Sequence, residues 1–232
     1  MFGVKHFVIA GGSHGIGLEI VQQLLSQGNK VTCISRTAPD IVHQALSHIA
    51  HDFSQPSELP AIDGPIDGVA YCPGSINLKM FRSLKPEEFQ QDFDLNVMGA
   101  VRLLQKLQLG LKAVPGSSVV LFSTVAVQQG MAFHSSIAAA KGAIEGLTRS
   151  LAAEWAPSIR VNAIAPSLVE TPLSAKLLSS PEKVEASAKR HPLARVGRPE
   201  DIASLAVFLL SDKSGWITGQ VMGVDGGMSV VR

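Results

Sequence analysis

The sequence predicts an α/β fold, a doubly wound parallel β-sheet with helices on both faces, and three observations predict it. Short apolar runs alternate with segments of helical periodicity along the whole chain. The runs are apolar at nearly every position, which is typical of strands buried on both faces of a parallel sheet. No gap in the alternation is long enough for a linker. We therefore expect a single three-layer α/β/α domain over residues 1–232.

The first half of the pattern opens with a strand predicted at 7–10, where an apolar run stops at Gly11-Gly12. A helix follows, because apolar residues recur at helical spacing from Ile16 as far as Gly28, a typical helix stop. A second strand is predicted at 31–34. Another is predicted at 66–72, after a loop rich in proline and glycine.

The second half begins with a long helix predicted over 86–113. Pro86 at the first turn and the acidic Glu87 and Glu88 near the N-terminus both favour that start, and Pro115-Gly116 ends it. The remaining elements are strands at 119–122, 160–165 and 220–224 and helices at 135–155 and 199–210. Residues 166–198 carry four prolines around short helical stretches. We expect this region to form the substrate loop, because long irregular loops tend to bind ligands.

Composition excludes several classes of function. The formal net charge is +1, so no bulk field favours nucleic acid or an anionic membrane. No apolar run approaches the ~20 residues of a membrane helix, and residues 1–10 are predicted as a strand instead of a signal peptide. Cys33 and Cys72 are expected to be buried thiols, which suits a cytoplasmic protein. Four histidines are candidates for metal ligands, namely His6, His43, His48 and His51, which are assigned to a strand, a helix and a loop. They lack the spacing of metal ligands, so no metal site is predicted.

A glycine-rich turn follows the first strand and carries the first functional signal. Its spacing is G-x-x-x-G-x-G, formed by Gly11, Gly15 and Gly17. Glycines allow a tight turn and a close approach of the backbone to a phosphate. The helix that follows offers free N–H groups and the positive end of its dipole. The turn, which also contains Ser13, His14 and Ile16, therefore predicts a dinucleotide site of the Rossmann type.

Further motifs follow successive strands over nearly the whole chain. They are Gly11, Gly15 and Gly17; Asp52 after a third strand; Gly74 after the fourth, predicted at 66–72; Asp94-Leu95-Asn96-Val97; Ser123-Thr124; Lys141; Arg160-Val161-Asn162-Ala163-Ile164-Ala165-Pro166; Thr171; Trp216-Ile217-Thr218-Gly219; and Val224-Asp225-Gly226-Gly227. On these motifs the sequence resembles the short-chain dehydrogenase/reductase family. The resemblance implies an oxidoreductase that acts on a small carbonyl or alcohol substrate with a nicotinamide cofactor.

The end of the second strand indicates which nicotinamide cofactor is used. An acidic residue there would bind the ribose 2′-hydroxyl and select NAD(H). The sequence has Ser35 followed by Arg36, and a guanidinium can bind a 2′-phosphate through two hydrogen bonds. His14 could add a second contact, whereas the alternative for Arg36 is a solvated surface position. We therefore favour NADP(H) over NAD(H).

The resemblance implies further cofactor contacts. Asp52, with the Phe53 backbone beside it, would accept a hydrogen bond from the adenine amino group, and Gly74 would lie near the adenosine ribose. Thr171 and Pro166 would contact the nicotinamide end. Two departures from the family pattern fall in these loops. The usual Asn-Ala-Gly is Cys72-Pro73-Gly74, and the usual Pro-Gly is Pro166-Ser167.

The reaction end keeps most of what the resemblance implies but lacks one group. The family uses a Tyr-x-x-x-Lys pair, a serine thirteen residues before the tyrosine, and an asparagine on the long helix. Lys141 and Asn96 match, and the resemblance implies that both contact the cofactor as well as the reaction centre, with Lys141 favoured as a clamp on the ribose. Thr124 supplies the hydroxyl, but Ile137 stands four residues before Lys141, where tyrosine is expected. The one tyrosine of the chain, Tyr71, lies on the fourth strand near the adenosine side.

Three functions stay open at this point. An oxidoreductase with altered proton donation is favoured by Thr124, Lys141 and Asn96, and His134, one turn before Ile137, is the candidate replacement acid. His134 followed by two serines could also be a helix entry without chemistry. A nucleotide-binding sensor, scaffold or regulatory subunit is favoured by Ile137, and a lyase or isomerase is possible on the same fold. The resemblance also implies a homo-oligomer, a dimer or tetramer.

Overall fold

A computed structural model of the chain describes residues 3–231, so Met1, Phe2 and Arg232 of the predicted domain 1–232 lie outside the described residues. Seven parallel strands form one sheet in the order β3-β2-β1-β4-β5-β6-β7. The strands are β1 His6–Ala10, β2 Lys30–Ser35, β3 Leu46–Ala50, β4 Gly68–Tyr71, β5 Ser117–Phe122, β6 Ile159–Pro166 and β7 Val221–Val224. The chain order reverses between β1 and β4, and ligands bind at such a switch point, beyond the carboxyl ends of the strands.

Helices cover both faces of the sheet. They are α1 Gly15–Ser26, α2 Pro86–Phe93, α3 Gly99–Lys112, α4 Ala126–Gln129, α5 Ser135–Trp155, α6 Pro181–Ala188 and α7 Pro199–Leu210. One apolar cluster joins the sheet to α1 and α7, and a second joins it to α3 and α5. The fold class predicted from the sequence, a single α/β domain with a doubly wound parallel sheet, is confirmed.

Two predicted helical assignments are wrong. The segment predicted as one helix over 86–113 is interrupted by a π-helical turn at Asp94–Met98, which divides it into α2 and α3. The side-chain amide of Asn96 donates to the Asp92 carbonyl over 2.8 Å in this turn, so a side chain replaces part of the backbone ladder. His48, assigned to a helix, lies on β3, which pairs in parallel with β2.

The proline-rich loop at 166–198 is more ordered than an irregular lid. It contains a short 3₁₀ turn at Pro172–Ser174 and the helix α6. A backbone bridge joins Val169 to Gly197, and the buried Ser174 hydroxyl donates to the Val169 carbonyl over 2.6 Å. The loop is therefore attached to the domain at both of its ends. Within residues 3–231, none of the helices combines the length and apolar character needed to cross a membrane.

Candidate active site

A groove of about 600 Å³ runs across the carboxyl ends of the first four strands. Five loops line it, namely the glycine turn after β1, the segments that follow β2, β3 and β4, and the loop after β6. Twelve of the predicted cofactor residues line this groove: Gly11, Ser13, His14, Gly15, Ile16, Gly17, Ser35, Arg36, Asp52, Phe53, Gly74 and Thr171. Sequence reasoning missed Thr37, His51, Ser54 and Leu95, which line it as neighbours of the predicted positions.

The glycine turn has the backbone geometry that its sequence predicts. Gly11 and Gly15 have φ angles of 72° and 54°, in the left-handed region that favours glycine. A β-carbon on Gly17 would lie 2.3 Å from the carbonyl oxygen of Gly11, so α1 starts directly against the end of β1. The free N–H groups at the start of α1 therefore face the groove, where a phosphate would be stabilised.

The end of the groove after β2 is polar and positively charged. Arg36 is exposed along the groove, beside Thr37. The hydroxyl of Ser13 lies 2.9 Å from Nδ1 of His14, and the two side chains face the same space. Ser35 also lines the groove, but its hydroxyl donates internally to the Thr37 carbonyl over 2.8 Å. A cation and several hydroxyls thus converge where a ribose phosphate would lie.

Asp52 presents a carboxylate to the same groove. Its Oδ1 atom accepts hydrogen bonds from the backbone N–H and the hydroxyl of Ser54, over 3.0 and 2.8 Å. These hydrogen bonds hold the pKa of Asp52 below its usual value, so it stays an acceptor at neutral pH. Phe53 beside it is buried, and its carbonyl accepts from Arg102 over 2.9 Å.

The groove opens into a second cavity of about 340 Å³ at the ends of β5 and β6. Ile16, Cys72, Gly74 and Thr171 line both spaces. A β-carbon on Gly15 would lie 3.1 Å from the Thr171 methyl, so the proline-rich loop contacts the glycine turn at the junction. An elongated groove with a phosphate cradle that leads into a mainly apolar cavity fits a dinucleotide with its reactive ring at the junction.

The second cavity contains the residues predicted for the reaction end. Thr124, His134, Lys141 and Pro166 line it, and Ile137 lines it beside them. Thr124 follows β5 and Pro166 ends β6, while the other side chains come from the N-cap and first two turns of α5. Ser123, the alternative hydroxyl, donates to Glu145 over 2.8 Å inside the protein, so Thr124 carries the available hydroxyl.

Lys141 is the buried cation of the cavity. Burial lowers the pKa of its amine to about 8, although the nearby Asp92 carboxylate opposes that shift. A β-carbon on Gly74 would lie 3.6 Å from Nζ of Lys141, so the missing side chain at Gly74 leaves space beside the amine.

Asn96 is completely buried and lines neither cavity. Its amide nitrogen donates to the Asp92 carbonyl and to the Ser75 hydroxyl, the latter over 3.0 Å. Its Oδ1 atom has no partner and would lie 3.4 Å from a β-carbon on Gly74. Asn96 therefore borders the site from behind Gly74 and does not line the groove or the cavity directly.

The proton donor is the group that the geometry leaves least defined. Ile137 is buried and brings only methyl groups to the cavity. The Nδ1 atom of His134 lies 2.7 Å from the Ala132 carbonyl and must donate to it, which leaves Nε2 for another partner. His134 is the N-cap residue of α5, but its side chain makes no hydrogen bond to the backbone N–H groups of that helix. Tyr71 points away, because its hydroxyl donates to the Leu95 carbonyl over 2.5 Å.

A second part of the cavity wall was missed as a source of chemistry. It is formed by the segment after β6 and by the end of α6, with Ser167, Ser187, Arg190 and His191, and Met228 completes it. Leu173 and Leu177 of the loop at 166–198 also line the cavity, whereas Leu178 does not. The one available signal was the departure from the family pattern at Ser167.

A family model and a curated relative both match nearly the whole chain. Residues 10–229 match the family model described as Enoyl-(Acyl carrier protein) reductase. The L-xylulose reductase of Bos taurus is 32% identical over 235 residues, which cover 96% of this chain and 96% of the relative.

Three solved structures share the fold over nearly the full chain. A short-chain type dehydrogenase/reductase from Mycobacterium ulcerans has a TM-score of 0.88 and 30% identity, over 98% of this chain and 90% of its own. A candidate 2-deoxy-D-gluconate 3-dehydrogenase from Agrobacterium tumefaciens, with bound NADP, has a TM-score of 0.87 and 29% identity, over 98% and 97%. The 3-ketoacyl-(acyl-carrier-protein) reductase of Brucella melitensis, complexed with NADH, has a TM-score of 0.85 and 25% identity, over 97% and 98%.

Proposed function

The chain belongs to the short-chain dehydrogenase/reductase family, and we propose that it is an NADP(H)-dependent oxidoreductase acting on a small carbonyl or alcohol substrate through an atypical active site. The family uses nicotinamide cofactors, so a dependence on NAD(P)(H) follows from membership. The observation that carries the proposal is the continuous groove and cavity, which join a phosphate cradle to Thr124, Lys141 and His134.

The preference for NADP(H) is supported by the charge at the end of β2. Arg36 lies along the groove, and the neighbouring polar groups of Ser13, His14 and Thr37 line it too. A 2′-phosphate would exchange its hydration for charge-assisted hydrogen bonds from these groups. The acidic side chain that would favour NAD(H) is absent from the strand end, where Ser35 stands.

The roles of the side chains follow from carbonyl reduction. When bound, the nicotinamide supplies the hydride. The Thr124 hydroxyl would hold the substrate oxygen by hydrogen bonding, and the Lys141 ammonium would stabilise the negative charge that develops on it. His134 would donate the proton through Nε2, since its Nδ1 already donates to a backbone carbonyl. Asn96 would act as a positioning residue behind Gly74.

Variants at positions 134 and 137 test this assignment. We expect His134→Gln to lower kcat by about 10²–10⁴, the usual contribution of a general acid, with little effect on NADPH affinity. Ile137→Tyr should restore turnover in the His134→Gln background, whereas Ile137→Phe, which adds the ring without the hydroxyl, should not. The measurements are NADPH and NADH titration by fluorescence, followed by a screen of carbonyl substrates.

Ile137 supports one competing function, an NADP(H)-binding protein with little or no turnover. A buried isoleucine at the expected proton-donor position is the observation that favours it. If the wild type binds NADPH but reduces nothing, while Ile137→Tyr gains activity, this second function is the correct one. Failure to bind either nucleotide would exclude both.

The remaining expectations accompany the proposal. We expect a homo-oligomer, a dimer or tetramer, and a small-molecule substrate, with no nucleic acid or membrane partner. A cytoplasmic location and the absence of a bound metal also stay predictions. Tight binding of NADH equal to that of NADPH would refute the role given to Arg36.

A further inference from the structure

The charges of the substrate cavity are unbalanced. Among the described residues that line it, Lys141 and Arg190 are cations, and none is Asp or Glu. The other lining residues are largely apolar, so the buried Lys141 charge is screened less than a surface charge, while Arg190 is exposed. Such a cavity favours an anionic ligand over a neutral one.

A hydrogen-bonded Ser167–His191 pair lies in one wall of this cavity. The Ser167 hydroxyl oxygen is 2.8 Å from Nε2 of His191. The Nδ1 atom of His191 is 2.8 Å from the Ser187 carbonyl, which can only accept, so Nδ1 carries a hydrogen. The imidazole is buried and held at both ring nitrogens, and in this tautomer Nε2 accepts from the Ser167 hydroxyl, which also lies 3.1 Å from the Met228 sulfur. The pair therefore orders this wall, and the free donors have to come from a neighbouring side chain. The mechanism described above uses neither residue.

Arg190, the chain neighbour of His191, brings a permanent cation to the same wall. Within residues 3–231 its guanidinium forms no ion pair, although it lines both the cavity and the shallow depression next to it. Lys189 differs, because it pairs with Glu185 over 2.6 Å and does not line the cavity. A guanidinium at a cavity wall is well suited to a carboxylate, which it can bind through two parallel hydrogen bonds.

One acidic residue approaches His191 from the C-terminal segment. Asp225 lies next to Gly226, where a β-carbon would be 3.5 Å from that of His191. The Asp225 carboxylate accepts from the backbone N–H groups of Gly227 and Ser229, over 2.9 and 3.0 Å, and from the Ser229 hydroxyl. It does not line the cavity, so it does not occupy the space that a ligand anion would take.

We propose that Arg190, beside the hydrogen-bonded Ser167–His191 pair, provides a carboxylate subsite, and that the substrate is a small oxo acid or the corresponding hydroxy acid. The carboxylate would bind at the wall formed after β6 and at the end of α6, and the carbonyl would face Thr124 and Lys141. The inference rests on the proposed oxidoreductase function and adds the substrate class. A cavity of about 340 Å³ accommodates a short chain between the two polar walls.

Matched acid and neutral compounds test the subsite. Levulinate and methyl levulinate, with other unbranched oxo acids and their methyl esters, are compared as substrates with NADPH. We expect kcat/KM to be about 10–100-fold higher for the acid, the contribution of hydrogen bonds to a charged group. Arg190→Gln should remove this preference by raising KM for the acid, while KM for the ester should change little. Lys189→Gln, the adjacent cation outside the cavity, should leave both substrates unaffected.

A binding measurement separates the subsite from turnover. Pentanoate and pentanamide, which contain no reducible carbonyl, are titrated into the protein–NADPH complex by calorimetry. Tighter binding of pentanoate that Arg190→Gln abolishes would support the subsite, even if no oxo acid is reduced and the proposed function fails. Equal binding of pentanoate and pentanamide, or equal kcat/KM for acids and esters, would overturn the subsite and leave the proposed function standing.

Discussion

The nucleotide groove and the substrate cavity meet at Gly74 and Thr171 but are built in different ways. The groove is formed by backbone turns that directly follow strands, so its shape depends on a few glycines and on the start of one helix. The cavity is formed mainly by side chains from segments far apart in the chain, at 16, 72–78, 122–141, 166–191 and 228. A backbone site keeps its function if its glycines are kept, whereas a side-chain site changes chemistry with each substitution.

The largest effect should follow from adding a side chain to the glycine turn that lines the groove. In Gly17→Ala, a β-carbon 2.3 Å from the Gly11 carbonyl oxygen would force α1 away from β1. We expect the NADPH Kd to rise by about 10²-fold, since a displacement of about 1 Å can have that effect, and the free energy of unfolding to fall by about 1–3 kcal/mol. Fluorescence titration and urea unfolding measure the two changes.

Gly146→Ala is the matched control, because no atom lies within 4 Å of a β-carbon at that position of α5. It should stabilise the protein by about 0.5–1 kcal/mol through helix propensity, with NADPH binding unchanged. Equal NADPH binding by Gly17→Ala and wild type would show that the groove does not depend on its backbone in the way described.

A smaller and more selective effect is expected at the polar end of the groove. Arg36→Gln should weaken NADPH binding by about 10–100-fold and leave NADH binding unchanged, because only NADPH carries the 2′-phosphate. Titration of both nucleotides measures the ratio. An equal loss for both would mean that Arg36 acts on the shape of the groove and not on the phosphate.

The smallest effect concerns the stability of the cavity. Burial lowers the pKa of Lys141 to about 8. At neutral pH the amine is charged in both states, but the charge is less favourable in the folded protein than in the unfolded chain. In the absence of cofactor, stability attributable to Lys141 should rise between about pH 8 and pH 10, where the unfolded chain binds more protons. Lys141→Met should therefore raise the free energy of unfolding at pH 7 by about 1–2 kcal/mol.

Urea unfolding at pH 7 and at about pH 10 measures the Lys141→Met effect, which should shrink at the higher pH. Lys112→Met at the exposed end of α3 is the control and should show no such dependence. A destabilised Lys141→Met at pH 7 would instead mean that the charge near Asp92 is favourable overall. Lys141→Met should also lose activity, which would show that the buried charge lowers the free energy of unfolding but is needed for the reaction.

The sequence predicted the groove far better than the cavity. Strand ends fix the positions of Gly11, Arg36 and Asp52, and the parallel sheet brings these ends to one edge, so local motifs were enough. Thr124 and Lys141 were identified through the family resemblance, by their spacing from the position where tyrosine is expected. The helix bounds at 135–155 and 199–210 also agree with the structure.

Features that depend on side-chain orientation could not be predicted. The π-helical turn at 94–98 has no distinct pattern of apolar residues, and it turns Asn96 into the core instead of the cavity. Ser167 and His191 are 24 residues apart, and no local rule pairs them. The order of the loop at 166–198 depends on the Val169–Gly197 bridge, which is likewise a long-range contact.

The position of Tyr71 keeps the ultraviolet spectrum of the folded protein free of a tyrosine ionisation signal. It is the one tyrosine of the chain, and burial raises the pKa of its hydroxyl far above the ordinary value. The folded wild type should therefore show no phenolate absorbance over the pH range in which it stays folded. A tyrosine introduced by Ile137→Tyr would titrate alone against this background, so the ionisation of a single active-site group could be followed directly by its ultraviolet spectrum.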